Sequence, residues 1–210
     1  MIVDTLTVLD LLRERGVRVA RSRYVTSAKQ AVAFAARGPI ALRLVPALYA
    51  SGSSIAINDL TTSQMVRRAF ERLASQAERF AGGQILAQRM VDPGTDIAIR
   101  CRADAALGRI VEVRNGVHRV QGAAPLDARA AQAVLTEFFE RAHVALDPAA
   151  IRTLTRLMVQ VCAIFVNTAS SRLTLDPVRL HDDKYDVIGA TLEMRRAAGS
   201  HRHPARYRFA

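Results

Sequence analysis

The segment "GGQILAQRMVDPGTDIAIRC" (82–101) predicts two strands that flank an Asp-Pro-Gly turn. Gln88 and Arg89 lie among apolar neighbours in the first strand, and Asp96 stands near the start of the second. One interpretation is a nucleotide site, in which a strand edge meets adenine and a carboxylate meets the ribose. The other is the ordinary alternation of a strand on a sheet with one wet face. The remainder of the chain has to decide between them.

Length and composition predict a protein with a substantial core. The chain has 210 residues, and 50% of them are hydrophobic, which suffices for one large domain or two small lobes. We expect no transmembrane helix, because no uninterrupted apolar run approaches about 18 residues. The N-terminal stretch is typical of an amphipathic helix and not of a signal peptide. Cys101 and Cys162 lie in apolar segments, which favours buried free thiols and a cytoplasmic location.

The chain is strongly basic, and its positive charge comes from arginine. The formal net charge is +11, and the only lysines are Lys29 and Lys184. Such a surface attracts nucleic acid, phosphate ligands or an acidic partner. The arginines are spread through most segments, so we do not expect nucleic-acid binding as the main function. They are concentrated only in the C-terminal segment, 195–210, which lacks periodicity and is expected to be a disordered tail.

Hydrophobic periodicity predicts two α+β lobes, 1–81 and 82–194, with a break at "AGGQ" and a cleft between them. In the first lobe the pattern gives helices over 4–16, 28–38 and 63–80. Ser27 caps the second helix, and Thr61 or Thr62 caps the third. Strands are expected over 17–20 and 39–45, and a turn over 49–59 leads into a short strand. In the second it gives an antiparallel run of three strands (84–91, 96–102, 108–115), helices over 124–144 and 147–169, and strands over 171–180 and 185–194. A cleft between lobes is a common place for a ligand.

Several stretches, in this order, resemble one protein family. They are "LLRERGVRVARSRYVTSAKQAVAFAARGPIALRLV" (11–45), "MVRRAFERLA" (65–74), "ILAQRMVDPGTDIAIRCRADAALGRIVEV" (85–113), "APLDARAAQAVL" (124–135) and "RLTLDPVRL" (172–180). Together they resemble the ATP-grasp domain of the NDP-forming acyl-CoA synthetases, which are relatives of the succinyl-CoA synthetase beta subunit. The resemblance spans 5–194 and rests on order and spacing, not on a single motif.

The resemblance implies an ATP-grasp-like fold that holds ATP between two antiparallel sheets. It implies that Arg43 contacts phosphate, that the segment Gln88, Arg89 and Met90 meets the adenine through its backbone, and that Asp96 meets the ribose. The residues alone leave two of these roles open. Arg43 would also be satisfied by an acidic partner, and Asp96 by a place on the surface beside the turn.

The resemblance also implies magnesium, and hence Mg-ATP as the ligand. Asp176 corresponds to the metal-binding asparagine of the family, and a carboxylate is a suitable oxygen ligand for Mg²⁺. Glu112, in the middle of the strand "GRIVEV", is a second candidate metal ligand. The alternatives are an Asp-Pro turn at Asp176 and a solvated glutamate at Glu112. "HDDKYD" (181–186) predicts a hairpin turn, with a metal cluster as the weaker alternative.

The sequence departs from the family where phosphoryl transfer takes place. Arg43 replaces a lysine, Arg89 replaces the hinge acid, and Thr174 replaces a metal-site aspartate. The family's His-Lys pair is missing from 46–59, which keeps only "SGSS" (51–54), either a phosphate nest or a plain loop. The later glycine-rich loop is reduced to "RNGVHR" (114–119).

No histidine stands at the position of the family's phosphohistidine relay, so no catalytic residue is assigned. Two hypotheses follow. The first is the nucleotide-binding subunit of a split ADP-forming acyl-CoA ligase, whose partner is a CoA-binding ligase subunit or a second copy of the chain. The second is a non-catalytic pseudo-enzyme that serves as an interaction or regulatory module.

Overall fold

The computed structural model describes residues 1–45, 55–79 and 83–195. These residues form an α+β protein with two antiparallel sheets, which confirms the predicted fold class. The helices are α1 (Thr5–Glu14), α2 (Ala28–Ala35), α3 (Ser63–Arg79), α4 (Ala128–Arg141) and α5 (Pro148–Asn167). The strands are β1 (Ile2–Val3), β2 (Ser22–Val25), β3 (Ile40–Val45), β4 (Ile55–Leu60), β5 (Gln84–Arg89), β6 (Thr95–Asp104), β7 (Gly108–Asn115), β8 (His118–Ala123), β9 (Ser170–His181), β10 (Lys184–Val187) and β11 (Ala190–Met194).

The smaller sheet has the order β2-β5-β3-β4. Helices α2 and α3 cover one of its faces, and Leu42 and Leu44 of β3 point into that core. The caps form as predicted, because Ser27 Oγ accepts from the Gln30 N–H at 3.3 Å and Thr62 Oγ1 accepts from the Met65 N–H at 3.2 Å. Because side chains alternate along a strand, Arg43, which lies between Leu42 and Leu44, points away from the helices.

The larger sheet has the order β1-β11-β9-β6-β7-β8, and β10 pairs with the outer part of β9. Helices α1, α4 and α5 pack on one face. Helix α5 is long and apolar enough, by length and composition, to cross a membrane, but half of the relevant window is buried within the protein. Its buried residues, among them Leu157, Val161 and Phe165, belong to the core of this lobe. In this structure α5 is a core helix.

The opening segment joins the two sheets and does not form a hairpin. Strand β5 pairs with β2 and β3, whereas β6 pairs with β7 and β9, so the Asp-Pro-Gly turn carries the chain from one sheet to the other. The predicted antiparallel run of three strands is therefore wrong in its first member, and β8 was missed. The predicted strand over 17–20 is also misplaced: β2 begins at Ser22, and Val19 makes only one bridge, to Val187. Alternation identifies a strand but not its distant partner.

The two sheets do not follow the predicted division after residue 81. Strand β5 belongs to the N-terminal sheet, whereas β1 pairs with β11 and α1 buries Val8, Leu9 and Leu12 in the core of the other lobe. Two connections therefore run between the lobes, at 15–21 and at 90–94. An amphipathic helix shows that it buries one face, but not against which sheet. Most of the predicted C-terminal tail, 196–210, lies outside the described residues.

Candidate functional site

A cavity of about 200 Å³ lies between the two sheets. Arg43 and Asn58 reach it from the smaller sheet, and Arg179 reaches it from the larger one. Met90 and Pro177 are among its apolar lining residues. The cavity therefore combines arginine side chains with an apolar wall, a combination that suits a ligand with a charged and an apolar part.

Arg43 points into this cavity because it lies between Leu42 and Leu44, which face the helices. Its side chain is half-buried, and burial lowers the pKa of the guanidinium. Its Nη1 donates to Gln88 Oε1 at 3.5 Å, and no carboxylate of the described residues forms an ion pair with it. The segments 46–54, 80–82 and 196–210 contain no Asp or Glu. A half-buried cation with only a neutral acceptor favours an anionic ligand.

Gln88 ties the two lobes together at the cavity wall. It is only 2% exposed, and its Nε2 donates to Ser22 Oγ at 2.9 Å and to the Ile188 carbonyl at 2.8 Å. Ser22 begins β2 of the smaller sheet, whereas Ile188 lies between β10 and β11 of the larger one. Both N–H groups of this amide are thus used within the protein, and its Oε1 faces Arg43.

Arg89 turns away from the cavity centre toward the C-terminal end of α2. Its Nη1 donates to the Gly38 carbonyl and its Nη2 to the Phe34 carbonyl at 2.6 Å, with the guanidinium 5.2 Å from the centre of the Phe34 ring. A cation at a helix C-terminus is favourable. Burial, together with the positive charges of Arg21 and Arg37, lowers the pKa of Arg89. Its side chain stabilises the smaller lobe.

The backbone of the 88–90 segment also has internal partners. The Arg89 N–H donates to the Arg21 carbonyl at 2.8 Å, and the Met90 N–H donates to the Pro39 carbonyl at 3.1 Å. The Met90 side chain lines the cavity. This segment thus offers the cavity the apolar side chain of Met90. Two of its backbone N–H groups already donate to carbonyls of the same protein, those of Arg21 and Pro39.

Asp96 and Arg179 form a bidentate pair at the edge of the cavity. They are opposite each other in β6 and β9, with Nε–Oδ1 and Nη2–Oδ2 distances of 2.8 Å each. This pair raises the pKa of Arg179 and fixes the direction of its guanidinium. Asp96 therefore lies next to Arg179 of the cavity wall and holds its guanidinium in place. Its contact with a ribose stays a prediction.

Glu112 is buried on the same face of the larger sheet. The alternation of β6 places Asp96 and Arg100 on one face, and the register sets Arg100 opposite Glu112. Glu112 is 6% exposed; its Oε2 accepts from Gln121 Nε2 at 2.7 Å, and its Oε1 lies 3.9 Å from Arg100 Nη1. The solvated alternative for Glu112 is thus not found.

Asp176 is also paired with an arginine. Its Oδ2 accepts from Arg114 Nη2 at 3.2 Å, and both side chains are partly exposed. The Asp176 N–H donates to the Gly189 carbonyl at 2.8 Å, and a Cβ added at Gly189 would lie 2.2 Å from the Asp176 carbonyl oxygen, so only glycine fits there. The described ranges hold no group of three or more His, Cys, Asp or Glu side chains placed to bind a metal.

The predicted hairpin "HDDKYD" forms between β9 and β10. His181 Nε2 lies 2.8 Å from Asp186 Oδ2, and Asp186 Oδ1 accepts from Arg18 Nε at 2.8 Å. His181 and Asp186 are buried, and Arg18 belongs to the 15–21 connection between the lobes. This cluster anchors that connection. The "SGSS" segment lies outside the described residues.

Sequence reasoning missed Arg179 and Arg114 as members of this face. Both occupy the alternate positions of their strands, where a polar residue is expected on the face opposite the helices. The sequence signal was present, but it did not show which acids would lie opposite them. That depends on the register of strands that are distant in the chain.

Comparisons with known proteins identify the fold. No family model matches the chain, and no curated protein matches it. A dinucleotide-forming acetyl-CoA synthetase of Ca. Korarchaeum cryptofilum, solved with coenzyme A and Ca-AMPCP, superposes with a TM-score of 0.81 at 18% identity, over 92% of this chain and 93% of that one. The chain has the fold of these ATP-grasp synthetase chains. The predicted resemblance is thereby confirmed for the fold.

Two further structures share this ATP-grasp fold. A Pyrococcus horikoshii Ot3 protein has a TM-score of 0.81 at 14% identity, over 92% of each chain. A second structure of the Korarchaeum synthetase, with coenzyme A and Mg-AMPPCP, has a TM-score of 0.72 at 19% identity, over 92% of this chain and 93% of that one. In that structure a phosphohistidine segment points towards the nucleotide-binding site.

Proposed function

We propose that the chain binds ATP in the cavity between its two sheets, as the nucleotide-binding component of an ADP-forming acyl-CoA synthetase system. The observation that carries the proposal is Arg43, a half-buried cation that faces the cavity with only the Gln88 amide as a partner. Arg179 supplies a second, firmly oriented guanidinium. Two guanidinium groups suit a polyphosphate, because each can donate two hydrogen bonds to phosphate oxygens.

The base and the ribose have candidate contacts on the same cavity. Met90 and Pro177 offer apolar surface for adenine. Asp96 is the candidate for the ribose hydroxyls, because a carboxylate oxygen that already accepts from Arg179 can accept a second hydrogen bond. The 88–90 segment therefore contributes mainly through the Met90 side chain.

The synthetase-like partner of this chain is a further part of the proposal. The Korarchaeum synthetase was solved with coenzyme A and has a phosphohistidine segment. Here His181 is buried against Asp186 and none of the five histidines matches the relay position, so the chain alone is not expected to form an acyl-CoA. A CoA-binding ligase subunit would supply the CoA site and the phosphorylated histidine.

The alternative is a non-catalytic module that keeps the fold for interaction or regulation. It is favoured by Glu112 and Asp176, which are both held in ion pairs with arginines. The two candidates differ in nucleotide binding and in turnover. Formation of ADP by the purified chain with ATP, CoA and acetate would exclude the alternative. ADP formation only after addition of a CoA-binding subunit would support the split enzyme.

Calorimetric titration with ATP tests the binding proposal. Arg43→Gln should weaken ATP binding about 10–100-fold, because a hydrogen bond to a charged group contributes about 1.5–3 kcal/mol. The matched control is Arg23→Gln, which removes the same charge from an exposed position on β2. Equal affinities of the two variants would overturn the assignment of Arg43. Absence of any ATP binding by the unaltered protein would overturn the proposed function itself.

A further inference from the structure

Arginines lie where a divalent cation would otherwise neutralise the acidic residues of the larger sheet. Arg100 faces Glu112 across β6 and β7, and Arg114 binds Asp176 across the sheet. These two acids are the candidate metal ligands that the sequence suggests. Each already has a cation next to it: Glu112 has Arg100 of the neighbouring strand β6, and Asp176 of β9 has Arg114 of β7, on the far side of β6.

The pairs leave little room for a magnesium site of the usual kind. Mg²⁺ requires oxygen ligands in near-octahedral geometry at about 2.0–2.1 Å. Glu112 is buried with one oxygen on Gln121 and the other near Arg100, so metal binding would have to displace the Gln121 amide and move the partly buried Arg100 side chain. Breaking the hydrogen bond of a buried carboxylate is costly. Thr174, two residues before Asp176, lies opposite Arg100 and adds no negative charge. The residues present therefore do not fit Mg²⁺.

The cavity and the adjoining face of the larger sheet together carry an excess of positive charge. Four guanidinium groups face three carboxylates, which leaves one positive charge uncompensated. Arg43 and Arg179 line the cavity. The other groups lie on the adjoining face of the larger sheet; they are Arg100, Arg114, Asp96, Glu112 and Asp176. In addition, the Nε of Arg100 is buried and has no hydrogen-bond partner among the described residues. A buried donor without a partner calls for an acceptor.

We propose that the cavity binds the polyphosphate of its nucleotide without a divalent metal, and that guanidinium groups take the place of the metal. This inference rests on the proposed nucleotide binding and specifies that the nucleotide is bound without a metal ion. Guanidinium forks neutralise phosphate oxygens and hold them through paired hydrogen bonds. The metal-free nucleotide carries the full negative charge that these groups complement, whereas magnesium cancels part of that charge. The ligand class is therefore a free nucleoside polyphosphate.

The first experiment is calorimetric titration of the full chain with ATP in EDTA and, separately, in excess Mg²⁺. We expect ATP to bind at least as tightly in EDTA as in Mg²⁺. If Mg²⁺ strengthens binding at all, the gain should be less than about threefold. Binding that strengthens about tenfold or more with Mg²⁺ would overturn the inference while leaving the proposed function intact. Absence of heat in both buffers would overturn both.

A second experiment measures the metal directly. Mn²⁺ is titrated into the nucleotide-free protein and the free ion is followed by its paramagnetic resonance signal. We expect no stoichiometric binding of Mn²⁺. One tightly bound Mn²⁺ per chain, lost in Asp176→Asn, would overturn the inference.

A pair of variants tests the arginines. Arg114→Gln should weaken metal-free ATP binding. Arg172→Gln should not, because it removes the same charge from the ion pair with Glu193 on the same face. Equal ATP affinities of these two variants would also contradict the inference.

Discussion

Gln88→Met tests the proposed link between the two lobes. The substitution nearly preserves the volume of the side chain but removes the donor that reaches Ser22 Oγ at 2.9 Å and the Ile188 carbonyl at 2.8 Å. Each hydrogen bond contributes about 0.5–1.5 kcal/mol, so the free energy of unfolding should fall by about 2 kcal/mol. For a chain of this size, that corresponds to a decrease in Tm of about 4–8 °C.

The assay is urea denaturation followed by circular dichroism, with Gln84→Met as the matched control. Gln84 lies on the same strand β5 but is exposed, so its substitution should change stability by less than about 0.5 kcal/mol. ATP affinity should also fall in Gln88→Met, because the amide that faces Arg43 is lost. A loss of stability in Gln88→Met no larger than that in the control would refute the claim that this amide joins the lobes.

Two further predictions concern the larger lobe. Gly189→Ala should destabilise the protein by about 1–3 kcal/mol, because the new Cβ would lie 2.2 Å from the Asp176 carbonyl oxygen; unchanged urea denaturation would contradict the close approach. Cys101 and Cys162 are free and buried, and a hydrogen bond to Cys162, together with burial, raises the pKa of the Cys101 thiol. Neither thiol should react with Ellman's reagent in the native protein, and both should react in denaturant; rapid reaction of the native protein would show that these thiols are accessible.

The sequence predicted most elements but not how distant elements pair. The alternation in β3 identified a strand, but it left open whether its single charge, Arg43, meets a phosphate or an acidic partner. The structure places Arg43 on the cavity, with Gln88 as its hydrogen-bond partner. The partners of β5 and the lobe of α1 were not predictable, because both depend on contacts between residues far apart in the chain. Local patterns carry no information on such pairing.

The candidate site shows the same limit. Alternation indicates that Gln88 and Arg89 point to opposite faces of β5, but not which face borders the cavity. The structure turns Gln88 toward Ile188 and Arg89 toward the Phe34 carbonyl. The ion pairs that occupy the candidate metal ligands arise from the register of β6, β7 and β9, which the residue types alone do not specify.

The most direct test of nucleotide binding between the two sheets is a crystal structure of the chain with the ATP analogue AMPPCP, grown without added metal. We predict that the triphosphate lies between the two sheets, with phosphate oxygens within hydrogen-bond distance of Arg43 and Arg179 and the base against Met90. An analogue bound outside this cavity, or a cavity that stays free of analogue at saturating concentration, would contradict it.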